Sequence, residues 1–99
     1  MSFIDRIQSV DVFLQCNNKC EHLVSITLYN GSDSLKKLSA NEILTILKNL
    51  PDAKFNQNDG WSLKTAGWTK QQCIDHFISI LGCHKYESVE SVLRKFKFE

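Results

Sequence analysis

The chain has 99 residues, of which 42% are hydrophobic and 23% charged, with a formal charge of +1. That is the composition of an ordinary globular domain with one core, folded without help from a metal or a disulfide. Residues 1–50 carry five basic and five acidic side chains and residues 51–99 carry seven and six, so neither half supplies the cationic excess on which strong nonspecific nucleic-acid binding depends.

The N-terminus has Asp5 and Arg6 where a secretory signal needs a continuous apolar stretch. Apolar runs of four residues or fewer exclude a helical membrane span. The expected compartment is therefore the cytoplasm, where the four cysteines are free thiols.

Taken in chain order, residues 2–8 suit a short helical turn, with Ser2 as its cap and Asp5 three positions on. From Val10 the pattern alternates: Val10, Val12 and Leu14 point one way, and Asp11, Phe13 and Gln15 the other, which is strand spacing. A second strand follows in residues 22–30, with Val24, Ile26 and Leu28 on one face. The stretch CNNKC between them, residues 16–20, suits a hairpin loop, and NGSD, residues 30–33, signals another turn. Residues 34–38 belong at a sheet edge, where Lys36 and Lys37 deter further pairing.

Ser39 and Glu42 form a capping box for a helix whose apolar face is Ile43, Ile46, Leu47 and Leu50, and Pro51 ends it. Residues 53–65 turn at Asn58, Asp59 and Gly60, as a small hairpin or an ordered loop. A second capping box, Thr69 with Gln72, opens a helix striped by Ile74, Phe77, Ile78 and Leu81 and closed by Gly82. A last helix over 88–97 places Val89, Val92, Leu93 and Phe96 on one side, with Arg94, Lys95 and Lys97 at its C-terminal end. The expected fold is α+β: a small antiparallel sheet packed against two or three helices, as a single domain over residues 1–99.

Chemistry-bearing residues are sparse. Cys16, Cys20 and His22 resemble half of a zinc site, which Cys73 with His76, or Cys83 with His84, would complete. Three intervening residues in CNNKC are one more than the commonest tight knuckle has, and Cys16 and Cys73 both continue apolar patterns. Buried thiols and no bound metal or cofactor are the expectation. Cys73 and His76, three apart on a helix, are the nearest approach to a nucleophile and base, but no third group orients them. Asp52 with Asp59 and Glu87 with Glu90 suit solvated positions, and no catalytic signature is present, so a non-enzymatic role is expected.

The richest surface candidate is the stretch NDGWSLKTAGWTK, residues 58–70, from which Asp59, Trp61, Lys64, Trp68 and Lys70 are the expected partner-binding residues. Tryptophan offers a large contact area with one donor and dominates many protein interfaces. The function expected is binding to another protein, as an inhibitor, immunity protein, anti-defence protein or adaptor. The alternatives are a small zinc-binding domain, or a DNA- or RNA-binding module that uses residues 69–81 and the basic end of the last helix, with Trp68, Lys70, Lys85 and Tyr86 beside them.

Overall fold

The structure is a computed structural model that describes residues 3–13, 21–58 and 67–98. Ser2, Leu14, Gln15, Cys16, Cys20, Asp59, Gly60, Trp61 and Lys64, named above, lie outside those residues. A short helix α1 (Phe3–Arg6) leads directly into strand β1 (Ile7–Phe13), three residues before the alternation becomes visible in the sequence. Ile7 and Val10 are an odd number apart and would face opposite ways on a regular strand. A register shift against the next strand, between Ile7 and Ser9, absorbs one residue and restores the phase. Ile7, Val10 and Val12 are consequently all buried.

Strands β2 (Glu21–Leu28) and β3 (Asp33–Ser39) continue the sheet in antiparallel fashion. Between them Gly31 takes φ of 91°, a conformation that suits glycine, and the Asn30 side chain accepts from the Ser32 N–H at 2.9 Å. Helix α2 (Ala40–Asn49) starts on its capping box, in which Ser39 and Glu42 exchange backbone-to-side-chain bonds at 3.2 and 3.3 Å. Five consecutive residues, Ile43 to Leu47, are buried. A run that long shows a helix covered on most of its circumference, between the sheet and the later helices.

After a 3-10 turn, Asp52–Lys54, the chain enters strand β4 (Phe55–Asn58). β4 pairs with β1 in parallel, giving the order β3-β2-β1-β4. The sheet is thus mixed, and the antiparallel expectation holds for three strands of the four. The helix is the physical reason. Leaving β3, the chain crosses the sheet through α2 and returns on the far side of β1 in the direction of β3, as a strand–helix–strand crossover requires. Only the first limb of the expected 53–65 hairpin falls within the described residues.

Helix α3 (Lys70–Leu81) has the predicted Thr69–Gln72 box and ends at Gly82, whose φ is 75°. Its buried face is Cys73, Ile74 and Phe77, while Leu81, expected in that stripe, is exposed. Helix α4 (Val89–Leu93) stops short of the expected 88–97. Beyond it the chain tightens into i→i+3 bonds, Lys95 N–H to Val92 O at 3.1 Å and Phe96 N–H to Leu93 O at 3.1 Å. The apolar side survives the change, because Val92, Leu93 and Phe96 are all buried. Arg94, Lys95 and Lys97 therefore follow the helix instead of completing it. One continuous core joins the inner face of the sheet to α2, α3 and α4. Among the described residues, no helix is long and apolar enough to cross a membrane.

Candidate functional site

Trp68 and Lys70, two of the expected binding residues, meet where the end of α2, the start of β4 and the start of α3 converge. Trp68 immediately precedes the Thr69 cap and is half-buried, packing against the core. Its ring meets His76 edge-on at 5.3 Å, His76 meets Phe77 at 5.4 Å, and Phe77 meets the buried His22 at 5.1 Å. The indole is thus the outermost member of a ladder of edge-to-face rings that reaches into the core.

The Lys70 ammonium is committed within the fold. It donates to the Leu50 carbonyl oxygen at 2.7 Å and pairs with the Asp52 carboxylate at 2.6 Å. Leu50 is the C-terminal cap residue of α2, so Lys70 supplies a donor to a carbonyl that the helix itself leaves unpaired. This tether holds the start of α3 against the end of α2. The Asp52 side chain remains 86% exposed and faces solvent beside it.

Between these elements lies a groove of about 410 Å³. Phe55 and Trp68 give it apolar walls, Asp52, Asn56 and Gln71 give it polar ones, and Gly67 and Thr69 contribute the rim. Asn56 and Gln71 are exposed, and the Gln71 amide is steadied by Asp75 at 2.9 Å. Phe55, Asn56 and Gln71 were missed by sequence reasoning as members of a site, whereas Asp52 reads with Asp59 as a solvated acid. Asn56 and Phe55 lie 12 and 13 positions before Trp68, Gln71 is a plain polar helix residue, and the β4–β1 pairing and the Lys70 tether bring them together.

The remaining candidates separate. Cys73 is fully buried on α3, and burial pushes its thiol up to about 11. The apolar surroundings thus favour the neutral thiol. Its expected role as a small core hydrophobe is what the packing shows. His22 is also buried, on the core face of β2. His76 is held between the Trp68 and Phe77 rings. Cys83 is exposed, whereas its neighbour His84 turns inward to α2. There His84 Nε2 lies 3.3 Å from Thr45 Oγ1, and Nδ1 lies 3.4 Å from the Lys48 ammonium. Among the described residues, no group of three or more His, Cys, Asp or Glu side chains is placed to hold a metal ion.

A second ion pair lies elsewhere, between Lys95 and Glu42. Burial opposes the charge on Glu42, but the Lys95 ammonium and the Ser39 N–H outweigh it and hold the carboxyl below its ordinary value of 4.5. The hydrogen bond to Glu42 in turn holds Lys95 above 10.5. One of the three basic residues that the nucleic-acid alternative would use is thereby paired within the fold.

Comparison with protein-family models, with curated proteins and with solved structures gives no match.

Proposed function

We propose that this chain is a non-enzymatic cytoplasmic protein that acts by binding another protein, as an inhibitor, immunity protein, anti-defence protein or adaptor, and that the groove beside Trp68 is its contact surface. The observation that carries the reading is the state of Trp68. Its ring is locked by His76 and the core on one side and forms the wall of an open groove on the other. A large aromatic surface already fixed in place loses little side-chain freedom on binding, which is the property of an interface anchor. Phe55 extends the apolar floor, and Asn56, Gln71 and Asp52 supply orienting polar groups around it.

The test fills the groove without touching the core. Asn56→Arg and Gln71→Arg replace exposed residues, so both variants are expected to retain the wild-type melting temperature. The tagged wild-type chain, recovered from its native cells, is expected to bring down a protein that both variants lose. Retention of the same protein by both variants overturns the groove. Recovery of a nucleic acid alone, with affinity that falls steeply with salt, overturns the protein-binding reading.

A further inference from the structure

The opposite edge of the sheet has a different character. β3 is the outer strand there among the described residues, so alternate residues of β3 turn their backbone N–H and C=O groups away from β2. A second groove, of about 390 Å³, runs between this strand and the C-terminal segment. The Lys97 N–H donates to Ser34 Oγ at 3.2 Å, which fixes the segment against the strand. Lys36 stands opposite Val24 in the register and so shares the helix-covered side of the sheet, where Lys95 and Lys97 approach it. Leu35 points to the other side and is 58% exposed. Because Lys95 is paired with Glu42, the positive charge offered to a guest is that of Lys36 and Lys97, beside the groove's own acid, Asp33.

Lysines on an edge strand ordinarily prevent pairing with a neighbour. They do so through charge, and the same charge attracts a strand of opposite sign. We propose that β3 is an acceptor edge for an extended acidic segment of another protein, which adds to the sheet as a further strand. Strand geometry dictates the pattern of that segment. Side chains on the helix-covered side meet Lys36 and Lys97 and are acidic; those that alternate with them lie beside Leu35 and are apolar. This surface is distinct from the groove beside Trp68, because β3 and β4 are the two outer strands of the sheet among the described residues.

The test uses the full chain and a fluorescein-labelled peptide of alternating Glu and Val, about ten residues long, the upper range of natural strand lengths. Fluorescence anisotropy is expected to show binding that falls by about tenfold or more in Lys36→Glu and in Lys97→Glu. Lys36→Gln is expected to give a smaller loss and serves as the conservative control, with thermal melts confirming that each variant is folded. A peptide N-methylated at alternate backbone amides is expected not to bind, because one edge of its ladder has no donors, and amide NMR shifts are expected to concentrate in Asp33–Ser39. Failure of the Glu-Val peptide to bind overturns the proposal. Equal binding of the N-methylated peptide overturns strand addition. Displacement of the peptide by a single-stranded oligodeoxynucleotide of similar length that binds more tightly assigns the groove to nucleic acid and overturns it as well.

Discussion

Lys70 illustrates how one side chain performs two tasks of unequal weight. Its bond to the Leu50 carbonyl oxygen serves a helix end, whereas its pair with Asp52 involves a largely exposed carboxylate. Solvent screens the pair, and removing an exposed partner costs close to nothing. Asp52→Ala is therefore expected to leave stability within about 0.5 kcal/mol of wild type. Lys70→Ala is expected to cost about 1–2 kcal/mol, because a carbonyl at the helix end loses its charged donor. Urea unfolding of the two variants checks the difference, and equal losses would show that the ion pair carries the effect. The role of Cys73 was legible from the stripe of its helix. That of Lys70 was not, since its partners lie 18 and 20 positions upstream and no local pattern records them. His84 was equally opaque. An ammonium can only donate, so His84 Nδ1 accepts from Lys48, Nε2 carries the proton, and Thr45 Oγ1 receives it while donating to the Asn41 carbonyl oxygen at 3.1 Å. The imidazole thereby fastens the connector after α3 to α2.

At the scale of elements, the helix starts were the most readable features, because a capping box is a local device written within four residues. Both boxes are formed as expected. Ser39→Ala is expected to cost about 1 kcal/mol. Glu42→Gln keeps an oxygen for the Ser39 N–H but loses the charge that meets Lys95, so its cost at neutral pH should stay below about 1 kcal/mol. The pH dependence follows from the lowered Glu42 pKa. Its contribution is complete above 4.5 and disappears as pH falls through the lower value it has in the folded chain. Urea titrations from neutral to strongly acid pH should show the gap between wild type and Glu42→Gln closing in that window. A gap that persists in acid would assign the effect to packing. The features that escaped the sequence were those set at long range. The register shift at Ile7 depends on its β2 partner, the direction of β4 depends on the crossover, and α4 ends early where Ser34 captures the Lys97 N–H.

For the molecule as a whole, the radius of gyration is 12.7 Å, against about 13 Å for a compact domain of this length. Phe77 lies near the middle of that compact body, fully buried and touching both His22 and His76 edge-on. Phe77→Ala is expected to remove about 3–5 kcal/mol, a large share of the roughly 5–15 kcal/mol typical of a small domain. The ladder that supports Trp68 would lose one of its two inner rings, so intrinsic tryptophan fluorescence and calorimetric stability should change together. A stable variant with unaltered emission would show that the ladder does not support the indole. The α+β class was legible because strand and helix periodicities differ and both were strong. The candidate site was only half legible: Trp68 and Lys70 stood out by residue type, while Phe55 and Asn56 come from a strand whose place in the sheet no local signal specifies.

Helix α2 sits between the two surfaces in an unexpected sense. Its first turn holds Lys95 through Glu42 beside the β3 groove, and its last residue before Pro51 is gripped by Lys70 beside the other. Ten residues of helix make a rod about 15 Å long, footed at one end in each recess. Guests at the two recesses would thus rest on opposite ends of one helix while meeting different residues of it.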